Sequence, residues 1–510
     1  MRSGLKAERR GEWVGAVVAA LVSLAVHTAS VGFWFHSDDF FVLRAVRNGG
    51  PFGIWSDDKW NFFRPLASAS VWIDWRLWGL NAGGYHLTNV ILAAIAAALV
   101  TVVARRLAPD AALWATGTAG VIFALMPAHA EAVEWISCRG DLLATVFGLG
   151  AIVVALRGGG KAAVGAAILV ALACAAKESA LTVPLFLGLI VLATGSERRR
   201  WTPVAATFGA AVVMVGLRTA LLGRLVGGYG GSISLKAIVA NAAPYLAKAL
   251  APLSIQEASF SPLLSPLARV AVRGLPTAVG VLSLLLIGGV FAWRAQRGGR
   301  LPLVLFAGFF VLVLPALPIG MVSYTWEGNR FVYFPSFALA ILLALGLARL
   351  PRPWAFGLGT VLGFAYLWGD SLALNAWRIA GDRTRAGLTS LVPLRGSLLL
   401  LSAPDNYRGV FVLRNGIPEG LDLLGDAGHP DVLVLTSYAS EAADDGPSIV
   451  PNGLRFPTPT GSPQRLPASP ERLKVFGAEN ARVGAASVDL DSSSTVARGV
   501  VTADGFVPVP

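Results

Sequence analysis

Charge is what this sequence has least of. Of its 510 residues only 14% are Asp, Glu, Lys or Arg and 55% are hydrophobic, with a mean hydropathy of +0.63. A soluble domain needs a charged skin, so this composition excludes one and points to a chain embedded in lipid. Acidic residues are the scarcer sign, 30 against 42 Lys plus Arg, for a net charge of +12. The basic residues sit in short clusters between apolar runs rather than in one stripe, which fits membrane topology and not a nucleic-acid partner. Cysteine is nearly absent as well. Cys138 and Cys174 offer neither a disulfide framework nor metal-ligand spacing, and both read as structural. No 34-residue helical repeat is present.

What the chain does have is apolar length. A basic start (Arg2, Lys6, Arg9, Arg10) leads into an apolar run from Trp13 to Phe35, too long for a signal-peptide core and read as an uncleaved first span. Windows able to cross a bilayer follow near residues 85–104, 110–126, 141–156, 162–176, 179–194, 202–222, 276–293, 301–320, 331–348 and 354–372, about eleven spans in all. Arg105-Arg106, Arg157 with Lys161, Arg198 to Arg200, Arg294 to Arg300, and Arg349 with Arg352 fall on the side of the N-terminus, which the positive-inside rule makes the cytoplasm. The expectation is an all-α polytopic membrane bundle over 1–381. Residues 382–510 carry 11 basic and 14 acidic residues without long apolar runs, and form an expected extracytoplasmic domain, α/β or β-rich. Its predicted strands are Ser397 to Leu401, Val432 to Thr436 and Lys474 to Phe476.

Two outer segments are long, 36–84 and 223–275. The first carries Trp55, Trp60, Trp72, Trp75 and Trp78, which suits helices in the headgroup plane roofing a cavity. Acids barely influence topology, yet 12 of the 16 in residues 1–381 map to the outer face or its edge. Asp38-Asp39 follow the first span beside His36, an arrangement suited to a base or a metal site, unless Ser37 merely caps a helix whose dipole the aspartates favour. In Pro127 to Asp141, a helix would place Glu131 and Glu134 on one polar, outward face with His129 half a turn away. The bland reading is a solvated turn in which Arg139 pairs with Asp141 or Glu134. Lys177-Glu178 form a corner that reads either as a site or as a neighbouring ion pair. Arg330 enters a span from outside, to clamp a lipid phosphate or to snorkel. Arg64, and His86 with Asn89, complete the set, as substrate contacts or interface anchors, and His27 reads as helix packing.

In order along about the first 350 residues, these segments resemble the GT-C class of membrane glycosyltransferases, within it the transmembrane O-mannosyltransferases that carry tetratricopeptide repeats and their bacterial relatives. The resemblance is carried by Asp38-Asp39, Phe63-Arg64-Pro65-Leu66, Tyr85-His86-Leu87-Thr88-Asn89, the Pro-x-His-x-Glu-Ala-Val-x-Trp-Ile stretch from Pro127 to Ile136 with Arg139 after it, Lys177-Glu178, and Arg330 to Ser336. The repeats are missing, and Asn329 stands where a glutamate is expected. The resemblance implies sugar transfer, of mannose or another hexose, from a polyprenyl-phosphate carrier to a hydroxyl of a protein, glycan or lipid at the outer face of a plasma membrane, the inner membrane if the source is bacterial. It implies Asp39 or Asp38 as general base, the other orienting the acceptor or a divalent cation. Arg330, Lys177 and Arg139 would hold the carrier phosphate, and His129 with Glu131 would position donor or metal. Arg64, His86 and Glu178 would contact substrate. Whether a metal takes part is open at this level, since no ligand set has diagnostic spacing.

Two other classes compete. A secondary transporter would keep its charges near the bilayer midplane on Gly- or Pro-broken spans of two corresponding halves, and a non-enzymatic scaffold would leave the outer acids merely solvated.

Overall fold

The computed structural model describes residues 2–56, 62–194, 198–223, 234–254, 299–319, 325–425, 431–440, 447–451, 453–456, 464–476, 478–484, 487–489 and 496–509, with Glu257, Ser265 and Gly289 besides. Trp60, the expected span 276–293 and most of 223–275 lie outside those residues. The helices are α1 (Arg2–His27), α2 (Asp38–Gly49), α3 (Gly53–Ser56), α4 (Pro65–Trp78), α5 (Ala82–Leu107), α6 (Leu113–Ala124), α7 (Ala130–Glu134), α8 (Arg139–Ala155), α9 (Gly160–Ala176), α10 (Val183–Thr194), α11 (Arg198–Leu222), α12 (Leu235–Leu250), α13 (Leu301–Val313), α14 (Arg330–Tyr333), α15 (Ser336–Leu347), α16 (Arg352–Leu391), α17 (Ile417–Leu424) and α18 (Pro470–Val475).

By length and composition four described segments can cross a membrane: Trp13–Gly32, Ala82–Leu107, Ile136–Ala155 and Arg199–Leu222. α6 and the following Pro127–Glu134, bent by 50°, make a fifth if taken as one span. Gly160–Ala176, Glu178–Thr194, Leu301–Val313 and Ser336–Leu347 are apolar but shorter. Their outward faces carry large apolar side chains, among them Val17 on α1, Ile91 on α5 and Val213 on α11, and α16 exposes Phe356 in the same way. Surfaces of that kind are stable only in lipid.

Inside lipid, small residues let helices approach closely. α1 packs on α5 and α6 through such positions. A Cβ on Gly15 would stand 3.2 Å from the Cα of Gly117, and Gly120 sits between Ala97, Thr101 and Ala19. α8 packs on α9 and α5, α9 on α11, and α15 on α6 and α13, around one apolar core.

Helix α16 runs unbroken across residue 382 to Leu391, and the sheet begins at Ser397. The strands are β1 (Ser397–Tyr407), β2 (Val410–Phe411), β3 (Asp431–Val434), β4 (Thr436–Ser440), β5 (Ser448–Val450), β6 (Gly453–Arg455), β7 (Gln464–Arg465), β8 (Arg482–Val483), β9 (Ser487–Asp489), β10 (Ala497–Thr502) and β11 (Gly505–Pro508). β1 is the centre: its first half pairs in parallel with β3 and β10, its second half with β4 in parallel and β2 antiparallel. Covered on both faces, it reads as the near-continuous apolar run of a parallel strand. β5, β6, β9 and β8 form a second, antiparallel sheet. The C-terminal region is thus α/β. The strand expected at Lys474 to Phe476 is instead the end of α18, because Ser469 caps that helix by accepting from the Arg472 N–H at 3.2 Å, with Pro470 at its first position.

The sheet region does not hang free. A second apolar core joins Phe33 to Val46, the C-terminal half of α16 and the 398–421 stretch, with α17 packed on α2 and β1 and β2 packed on α16.

Candidate functional site

α5 separates two chemically different ends of the bundle. His86 lies in its first turns and Arg105-Arg106 in its last, roughly 30 Å away at 1.5 Å per residue. The acidic residues singled out from sequence collect at the His86 end. There a cleft with about 820 Å³ of open space is walled by Asp38, Arg64, Trp135, Ser137, Arg139, Asp141, Lys177 and Arg330, with Phe41, Ile54 and Val71 among its apolar lining. Residues drawn from six separate segments of the sequence thereby share one cavity.

The two aspartates have different surroundings. Asp38 faces the cleft. Asp39 is fully buried: one oxygen accepts from the Ser137 backbone N–H at 2.8 Å and hydroxyl at 2.6 Å, the other from the His36 N–H at 2.9 Å. Burial outweighs those three donated bonds and pushes the Asp39 carboxyl up to about 7. Burial, and then His86, holds His36 down to about 3, so its imidazole is neutral. The Ser37 cap, the alternative reading of this stretch, is not formed. Ser37 has φ 38° and ψ −106° and no capping bond, and its hydroxyl accepts instead from the Asn415 N–H at 3.1 Å.

Each cation on the wall has a carboxylate partner, and the partners differ from those expected. Arg139, 1% exposed, pairs with Asp74 at 2.7 Å, neither with Asp141 nor with Glu134. Its remaining donors go to Asn89 Oδ1, to Ser70 Oγ at 2.9 Å and to the Tyr85 carbonyl at 3.0 Å. So complete a set of acceptors makes Arg139 the clamp between α4, α5 and α8. Lys177 pairs with Asp141 at 2.5 Å rather than with its neighbour Glu178, which takes Arg64 in a two-pronged contact at 3.0 and 2.5 Å. Arg330 pairs with Glu131 and lies 5.3 Å from the Trp135 ring centre. Side-chain exposure of 12% for Arg330 and 13% for Arg64, against 4% for Lys177, makes the two arginines the most accessible cations on the wall.

The Pro127 to Asp141 stretch is not one outward helix but a 3₁₀ turn, the single-turn α7 and a second 3₁₀ turn, all folded inward. The extended backbone of Trp135, φ −93° and ψ 114°, breaks it. Glu134 is buried against His27, in a hydrogen bond of 2.7 Å to its Nδ1, so His27 is a hydrogen-bond partner as well as a packing residue. His129 Nε2 hydrogen-bonds with Ser336 Oγ at 2.8 Å, and its ring lies between Phe123, which is tilted to it, and Tyr333, which is edge-on. His86 is buried edge-on to Phe33. Neither histidine is among the cleft-lining residues, and Asn89 spends its amide on the Val133 carbonyl at 2.9 Å. Both cysteines are free and buried.

Sequence reading passed over Asp74, Ser137 and Asn415, and gave Asp141 only as an alternative partner of Arg139. A lone acid among the tryptophans of α4 was the available signal for Asp74, since an isolated carboxylate in such a helix needs a partner. Nothing local marks Asn415, which reaches Asp38 Oδ1 at 2.7 Å from 377 positions away. Among the described residues no group of three or more His, Cys, Asp or Glu is placed to hold a metal ion.

No family model matches the chain. Protein O-mannosyl-transferase TMTC2 of Mus musculus is 30% identical over 148 residues, 26% of this chain and 18% of that protein. Protein O-mannosyl-transferase Tmtc1 of Drosophila melanogaster is 40% identical over 84 residues, 16% of this chain and 10% of that protein. The chain therefore matches well under a quarter of the length of these relatives. Among solved structures, ArnT from Cupriavidus metallidurans bound to undecaprenyl phosphate aligns at a TM-score of 0.45 and 14% identity, over 81% of this chain and 89% of that one. The local identities fall on a chain that carries these motifs in order, and over those stretches it is similar to the protein O-mannosyl-transferases.

Proposed function

We propose that this chain is a glycosyltransferase that moves a sugar from a polyprenyl-phosphate carrier to a hydroxyl acceptor at the outer membrane interface. One observation carries the reading: at one end of an apolar bundle, a single cleft is lined by Asp38 together with Arg330, Arg64 and Lys177. The similarity to protein O-mannosyl-transferases makes mannose the first sugar to test.

Asp38 accepts the proton of the acceptor hydroxyl, whose oxygen bonds to the anomeric carbon of the sugar. The bond from that carbon to the carrier phosphate breaks, and its electron pair leaves with the polyprenyl phosphate. Arg330 and Arg64 take up the charge that develops there, the planar guanidinium matching phosphate geometry, and Lys177 adds a point charge. Glu131 holds Arg330 in place, and Asp39 anchors the turn that carries Asp38. Asp74, Glu131, Asp141 and Glu178 are each committed to a cationic side chain, so no step is assigned to a divalent cation. The isoprenoid chain would lie along the apolar flanks. In this reading residues 1–381 are the membrane part, the N-terminus is cytoplasmic, and residues 382–510 lie on the far side with the cleft.

The test is transfer of radiolabelled mannose from polyprenyl-phosphate mannose into hydroxyl acceptors of the native membrane. Asp38→Asn should lower transfer by about 10²- to 10⁴-fold at equal expression. Full transfer by that variant would refute the base, and solute uptake by vesicles without any transfer would favour the transporter.

A further inference from the structure

The loop between β2 and α17 touches the site at three points. Asn415 Nδ2 donates to Asp38 Oδ1 at 2.7 Å, the Asn415 backbone N–H donates to the Ser37 hydroxyl at 3.1 Å, and the Ser37 N–H donates to the Val412 carbonyl at 3.2 Å. Gly416 presses on the Ser37 carbonyl with φ 89°, where the backbone angle and the lack of room both call for glycine. Directly before Asp38, Ser37 is held at φ 38°, a conformation that persists only where surrounding structure imposes it. The three contacts supply that imposition.

The same loop is braced on the cation side of the cleft. Arg414 grips Asp405 at 2.9 and 2.7 Å and Glu327 Oε1 at 3.0 Å, and its guanidinium lies 3.9 Å over the Phe411 ring. Glu327 precedes by one residue the Gly328 N–H that Glu131 holds, within the turn that leads into Arg330. One segment of the C-terminal region is therefore tied both to the carboxylate and to the turn that carries the opposing arginine.

We infer that Asn415 is a positioning residue that aims Asp38 into the cleft, so that the site is completed by the C-terminal α/β region. The inference rests on Asp38 as the base and adds the group that orients it. The helix backbone leaves an aspartate in its first turn only a few rotamers, and a short amide bond to one oxygen favours one of them.

The experiment uses the full chain in vesicles, with Asn415→Ala and Asn415→Asp beside the intact protein. Asn415→Asp keeps the shape of the side chain but sets a carboxylate against Asp38. Positioning predicts that kcat for transfer from polyprenyl-phosphate mannose falls about tenfold in the Ala variant and further in the Asp variant, with the carrier KM within about twofold. A merely shape-filling Asn415 would give the reverse order, the isosteric Asp variant being the better tolerated, and would overturn the inference. A second readout needs no turnover: carbodiimide labelling at Asp38, read by peptide mass, reports its protonated fraction. Labelling should rise about tenfold in the Asp variant, because neighbouring carboxylates cannot both ionise freely. Unchanged labelling overturns the pairing even if transfer is seen. Raised labelling in a protein whose intact form transfers nothing upholds the pairing and refutes the transferase.

Discussion

Glu131 and Arg330 stand 199 positions apart in the chain and meet at the wall of the cleft. The glutamate accepts from the backbone N–H of Arg330 at 2.6 Å and of Gly328 at 3.2 Å as well as from the guanidinium, so one carboxylate fixes both the turn and its charge. Asn329, standing where the resemblance leads one to expect an acid, lies inside this turn and is buried.

Removing that carboxylate takes an acceptor from a largely buried guanidinium and from the two backbone N–H groups of Gly328 and Arg330. Glu131→Ala should cost about 3 kcal/mol of stability, and Glu131→Gln less, since the amide oxygen still accepts one bond. Thermal unfolding in detergent measures both, and an Ala variant as stable as the intact protein would contradict the anchoring role.

Arg330 and Arg139 should separate in their response to lysine. Arg330→Lys keeps the charge but loses the planar fork, and affinity for polyprenyl phosphate should fall about tenfold with the protein still folded. Arg139→Lys leaves Asn89, Ser70 or the Tyr85 carbonyl without a donor, so stability should fall by about 2 kcal/mol while carrier affinity of the folded fraction holds. Binding isotherms and melting curves of the two variants check this, and equal loss of carrier affinity in both would place Arg139 at the phosphate.

Asp39 links stability to pH. Its folded-state value of about 7 lies above the ordinary 3.8, so the folded protein binds the proton more tightly than the unfolded chain does. The contribution is present in full below about pH 4 and is lost as pH rises through 7. Its size is at most about 4 kcal/mol from the 1.36 kcal/mol per unit. Melting temperature should therefore decline from pH 5 to pH 8, and Asp39→Asn should flatten that decline. An unflattened decline would assign the pH dependence to another group.

Gly120 tests the packing of α1, α5 and α6. Its neighbours Ala97, Thr101 and Ala19 leave no room for a side chain, and Gly120→Val should destabilise the bundle by about 2 kcal/mol or more. A folded, equally stable valine variant would show that these helices are not in close contact.

The membrane bundle was legible because its signal is local: each apolar window is written in consecutive residues, and the clusters of arginine mark one end of it. The second acidic stretch was legible only as a set of residues. Its expected outward helix failed because the extended backbone at Trp135 interrupts it, and the burial of Glu131 and Glu134 depends on Arg330 and His27, which no spacing rule connects to them. Lys177 and Glu178 illustrate the same limit. Adjacent opposite charges suggest a local pair, yet at a helix junction successive side chains diverge, and each found a partner on another element.

Sequence alone determined that the chain is lipid-embedded, which end of the bundle gathers its acids, and which residue types are available there for proton and phosphate chemistry. Only the tertiary structure decided that Asp38 faces the cleft while Asp39 is sealed behind Ser137, which acid neutralises which base, and that the C-terminal α/β region reaches back to Asp38 through Asn415. The reason is physical. Hydrophobic partition acts on each segment separately, whereas an ion pair or an amide-to-carboxylate bond exists only once two distant segments have been packed to within about 3 Å of each other.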